Sequence, residues 1–94
     1  MEKGFIVIAD WMVEKLNLTG NRLIIYALVH NNCMEYGCYN RPLSYITDNL
    51  KINKTTVTRI LKELVEKGLI KKQDNIVDNI NYAKYTVTNN GRIS

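Results

Sequence analysis

Apolar positions fall into short blocks whose period changes along the chain, and each change marks an element. Residues 5–8, Phe-Ile-Val-Ile, are an apolar, mostly β-branched run that fits a strand or an extended arm. Over residues 10–16, Trp11, Met12, Val13 and Leu16 suggest a short helix, stopped by the turn-forming Asn17-Leu18-Thr19-Gly20. Thr19 offers an N-cap oxygen to the next helix, where Leu23, Ile24, Ala27, Leu28 and Asn31 recur at helical spacing and predict the central core helix. Residues 31–41 are polar and include Gly37, so they read as a loop whose end, Cys38-Tyr39-Asn40, fits a short strand. Pro42 suits the first position of a further helix.

Leu43, Ile46 and Leu50, at i, i+3 and i+7, predict that helix, and Lys51-Ile52-Asn53 interrupts its period. A second period starts at once with Val57, Ile60, Leu61 and Leu64, and Gly68 follows at a C-cap position. Two helices joined by so short a turn must cross steeply. Leu69-Ile70-Lys71-Lys72 and residues 82–88 then read as strands, the second alternating Ala83, Tyr85 and Val87 against Lys84, Thr86 and Thr88. The Asn- and Asp-rich residues 74–81 would connect them as a wing. The fold class predicted is α+β, mainly α: a winged helix-turn-helix with about four helices and a C-terminal β-hairpin wing. All 94 residues form one domain, with its core over about residues 5–88 and a loose tail, or the cut end of a longer chain, over 89–94.

Composition excludes more than it assigns. A hydrophobic share of 46% and a charged share of 23% are ordinary for a soluble globular domain. No apolar run approaches the roughly 20 residues of a membrane span, and no signal pattern follows Met1, so a cytoplasmic protein is expected. Charge is uneven: residues 1–50 carry four Lys/Arg against five Asp/Glu, residues 51–94 nine against four. A basic second half suits a polyanionic partner.

Cys33 and Cys38 are too few for a zinc framework and read as reduced thiols; their alternative is a redox switch. His30 has no evident acid or nucleophile beside it and reads as a surface or helix-end residue, and the five glycines make no phosphate-cradling loop. The aromatic residues are scattered among the elements, which suits core packing and dimer contacts better than base stacking. The chain is therefore expected to be no enzyme and to need no cofactor, metal or small-molecule ligand.

The informative stretch is residues 44–70. Advancing about 100° per residue from Val57 gathers Ile60, Leu61 and Leu64 on one side and sets Thr55, Arg59 and Lys62 opposite. Asn53 suits the N-cap, and with Lys54, Thr55 and Thr56 it surrounds a positive helix end that attracts phosphate. Arg59, one turn beyond Thr55, has the bidentate fork that matches guanine O6 and N7 and ranks first for base readout. Thr55, Thr56 and Thr58 suit thymine methyls or phosphates. Lys51, Lys54 and Lys62 suit the DNA backbone, and Lys71, Lys72 and Lys84 would extend the footprint along the wing. Any surface helix has a polar side; what lifts this one above a merely solvated face is its cap, spacing, trailing hairpin and local charge together.

Residues 44–70 resemble the helix-turn-helix of winged-helix families, among them MarR-like regulators and the N-terminal domains of phage and plasmid replication initiators. Residues 18–28, Leu-Thr-Gly-Asn-Arg-Leu-Ile-Ile-Tyr-Ala-Leu, are similar to the second helix of Gram-positive replication-initiator and replisome-organiser domains. The likeness covers about residues 11–87. It implies that Asn53, Thr55, Thr56, Thr58 and Arg59 are recognition residues and that the chain is the origin-binding part of a longer initiator, bound to double-stranded DNA. Two departures stand out: Arg22 sits where Glu would complete a capping box with Thr19, and Lys51 where Gly usually ends the first helix. Winged-helix pairing on inverted half-sites adds the expectation of a homodimer. The rivals are a transcriptional regulator of the same fold and a protein-interaction module docking through residues 5–8, Trp11 and Met12.

Overall fold

The computed structural model describes residues 6–88, with the side chains of Asn75, Asn81 and Tyr82 left aside. Phe5 and the tail 89–94 lie outside the described residues. Helices α1 (Asp10–Glu14), α2 (Gly20–Tyr36), α3 (Leu43–Leu50) and α4 (Lys54–Glu66) precede strands β1 (Ile70–Val77) and β2 (Ile80–Val87). The strands pair antiparallel from Ile70↔Val87 to Val77↔Ile80. This is the winged helix-turn-helix expected from the sequence.

At the centre, α2 packs against α1, α4 and β2, while α3 and β1 pack on α4. Ile25, Tyr26, Ala27, Leu28 and Val29 are all buried, so α2 is enclosed over more of its circumference than its apolar spacing predicted; Leu23 and Ile24 remain half-buried. Burial raises the Tyr26 hydroxyl's ionisation to about 12, as expected for a ring committed to the core.

Three boundaries differ from the sequence reading. First, α2 runs on through Tyr36, across residues expected to be loop. Asn31 and Asn32 return their amides to the Ala27 and Leu28 carbonyls at 2.6 and 3.1 Å, and Cys33 is buried, so tertiary packing overrides weak helix propensity. The left-handed Gly37, φ +89°, ends the helix. His30 consequently lies within α2 rather than at its end, and its ring is 5.1 Å from that of Trp11.

Second, Thr19 occupies the N-cap position without a side-chain bond, because the chain enters α2 through a left-handed Gly20 at φ +61°. Pro42 likewise caps α3 from just outside instead of starting it. Third, the wing is strand almost throughout. Residues 74–81 were expected as its connection, yet only Asp78 and Asn79 turn, with φ of 53° and 65°. Two consecutive positive φ values match the right-handed twist of a tight hairpin, and short polar Asp and Asn tolerate them.

Residues 6–9, the described ones before α1, form an arm and not a strand: Val7 donates its N–H to Asn31 Oδ1 at 2.9 Å and accepts from Asn31 Nδ2 at 3.0 Å. The short strand expected at residues 38–40 is one bridge, in which Tyr39 and Tyr85 exchange backbone bonds of 2.8 Å. Cys33 Sγ donates to the Tyr85 carbonyl at 3.5 Å beside it, and burial pushes that thiol's pKa up, away from easy oxidation. Among the described residues no helix is long and apolar enough to cross a membrane.

Candidate nucleic-acid interface

The site begins with the turn between α3 and α4. Lys51 ends α3 in the left-handed region, φ 57° and ψ 39°, doing with a side chain what glycine does more cheaply. That reversal sends the chain through Ile52 to Asn53, whose Oδ1 accepts the Thr55 N–H at 2.7 Å. The cap predicted from sequence is thus formed. It leaves other first-turn N–H groups of α4 at an exposed, positive helix end beside Lys54.

Val57, Ile60, Leu61 and Leu64 are buried to 2% exposure or less and seat α4 on the core. Each such burial stabilises by about 1.5–3 kcal/mol, so the helix cannot rotate about its axis. Thr55, Thr58, Arg59 and Lys62 are exposed as predicted, whereas Thr56 is half-buried. Thr58 borders a cavity of about 600 Å³ enclosed by α4, the hairpin and the segment leading into α3, lined also by Pro42, Leu61, Lys72 and Tyr85.

The hairpin divides the three lysines that the sequence grouped. In an antiparallel pair, opposed residues share a face and successive residues alternate. Lys71, opposite Thr86, and Lys84, opposite Gln73, therefore share the outer face. Lys72, opposite Tyr85, is on the face toward α4, and its Nζ lies 3.9 Å from Asp74 Oδ1.

One residue of consequence escaped the sequence reading as a contributor to this surface. Arg22 of α2 crosses to α4 and donates from Nε to Glu63 Oε1 at 2.7 Å and from Nη2 to Glu63 Oε2 at 3.3 Å. Arg59 reaches the same carboxylate from one turn away, Nη1 to Oε2, at 3.3 Å. The Arg22 hydrogen bond, with the charges of both arginines behind it, holds the Glu63 carboxyl below its ordinary range, and the same bond raises the Arg22 pKa. Only pairing across two helices reveals this; the sole sequence signal was a basic residue at a capping-box position where Glu was expected.

The MarR family profile matches residues 40–79, which span α3, the turn, α4, β1 and the hairpin turn but not β2. No curated protein sequence matches the chain. Among solved structures, the crystal structure of wild-type MarR in its apo form from E. coli superposes with a TM-score of 0.61 at 18% identity, covering 86% of this chain and 55% of that one. The chain thus spans about half the length of that protein. Neither comparison points to replication initiators. Architecture and superposition agree on a winged helix-turn-helix whose fourth helix turns an exposed polar side, partly occupied by one shared carboxylate, toward solvent.

Proposed function

We propose that the protein is a sequence-specific reader of double-stranded DNA that regulates transcription and carries out no catalysis. The observation that carries this reading is α4: an apolar side fixed in the core, a capped positive end, and Thr55, Arg59 and Lys62 exposed on the opposite side. A helix so presented fits the major groove, where Arg59 reads guanine and Asn53, Thr55, Thr56 and Thr58 approach neighbouring bases and phosphates. Lys51, Lys54 and Lys62 hold the backbone beside the helix, and Lys71 and Lys84 extend the contact along the outer face of the wing, with Lys72 on the hairpin face toward α4. Two copies on inverted half-sites complete the recognition unit.

Of the two uses this fold admits, regulation of transcription is favoured by the family match over residues 40–79. Origin binding rests on the sequence likeness over about residues 11–87, which is most particular at residues 18–28. The deciding measurement is duplex affinity against salt. A DNA reader loses roughly 0.9 log units of affinity per contacted phosphate for each log unit of salt. A flat response would instead favour a protein-docking module.

A further inference from the structure

The α4 surface contains a conflict. Arg59 is the side chain best suited to guanine, yet it shares Glu63 Oε2 at 3.3 Å, and a carboxylate there both competes for the guanidinium and repels phosphate. Arg22 resolves it from outside. It stands on α2, contacts both oxygens of Glu63, and has the shorter bond of the two arginines, 2.7 Å against 3.3 Å. Exposure follows the same order: the Glu63 side chain is 29% exposed, Arg22 43% and Arg59 54%.

We propose that Arg22 is a positioning residue for DNA recognition: by holding Glu63 from α2, it neutralises that carboxylate and leaves Arg59 steered but free to transfer to a base. The idea rests on the reading of α4 as the recognition helix. The one long Arg59–Glu63 bond spans i to i+4 on an exposed helix face, a pair that is weak in water and easily exchanged. It keeps the guanidinium extended along the face at little cost to its release. Without Arg22, Glu63 has both oxygens available to Arg59, the pair can close in two-bond form, and a carboxylate faces the phosphates with one fewer guanidinium against it. Specificity at the guanine would then depend on a residue that touches no DNA.

The test uses the whole chain with a random-sequence duplex pool and the tightest duplex selected from it. Arg22→Gln should bind the selected duplex about tenfold more weakly, an ordinary coupling for charged groups in contact. Arg22→Lys should keep most of the affinity, and Glu63→Gln should bind at least as tightly as the wild type. The double variant Arg22→Gln/Glu63→Gln should recover to near wild-type binding, which a merely structural loss of an ion pair would not do. Unchanged binding by Arg22→Gln, or a double variant as weak as Arg22→Gln, overturns the proposal while the DNA reading stands. A wild-type chain that binds no duplex overturns both. Should Arg22→Gln fail to fold, Glu63→Gln decides alone, and weaker binding than wild type overturns the idea.

Discussion

Helix α4 and the hairpin adjoin one another and both contribute basic residues to the surface, yet they are built on opposite plans. In α4 every apolar residue of the central turns is buried, and the exposed side is polar. The hairpin is ordered by the core only near its root, where Ile70 is buried and Tyr85 and Val87 pack on the core. Farther out, Ile76 is 72% exposed and Ile80 53%, with Asp78 at the turn. Its lysines, Lys71, Lys72 and Lys84, all lie nearer the root than the tip. A recognition surface needs side chains held in fixed places, which α4 supplies throughout and the hairpin only over its inner half. The contrast predicts that specificity resides in α4 and that the hairpin adds charge without sequence preference.

The largest break comes from unseating α4. Leu64 is fully buried in the core that α2, α4 and the hairpin root share. Leu64→Ala should destabilise the fold by about 2–5 kcal/mol, from lost burial plus the cavity left behind. Thermal or urea unfolding reads it directly. A loss below about 1 kcal/mol would mean that the site collapses easily around the smaller residue and that α4 is less firmly seated than its burial implies.

Next in size is the loss of the proposed reader. Arg59→Ala should cost about 1–3 kcal/mol on the preferred duplex and relax preference at one base pair. The comparison to make is with unrelated duplexes, where the cost should be much smaller. An equal loss on every sequence would make Arg59 a phosphate contact and transfer specificity elsewhere on the helix.

The two regions also differed in how far they could be read from the sequence. The apolar period of α4, its Asn53 cap and its outward side were legible because each depends on residues within a few positions of one another. The helix after Pro42 was legible for the same reason, though it begins at Leu43, whereas the strand expected over residues 38–40 shrinks to the single bridge of Tyr39 with the distant Tyr85. The length of α2 was not, since Asn31 and Asn32 look like loop residues until their amides are seen to bond back along the helix and Cys33 is seen to be buried. Residues 74–81 misled in the same manner: their Asn and Asp content signals a turn, but only Asp78 and Asn79 make it, and Ile76, Val77 and Ile80 continue the strands. Arg22 met Glu63 across 41 positions of sequence, a distance at which no local pattern speaks.

The smallest predicted effects decide whether the hairpin's two halves differ. Replacing Lys71 and Lys84 together by Ala should weaken binding to all duplexes alike and make the salt dependence shallower by about one to two log units per log unit of salt, since each phosphate contact contributes roughly 0.9. Replacing Ile76 and Ile80 by Thr keeps the β-branched shape and removes apolar exposure at the tip, so it should change affinity by less than about 0.5 kcal/mol, as surface substitutions away from an interface do. Salt titrations of the two double variants beside the wild type measure both effects at once. If the tip variant lost as much as the lysine variant, DNA contact would run the full length of the hairpin, and the apolar end would have to lie against the duplex in spite of Asp78. If neither lost anything, the wing would stand clear of the DNA and α4 would carry recognition without it.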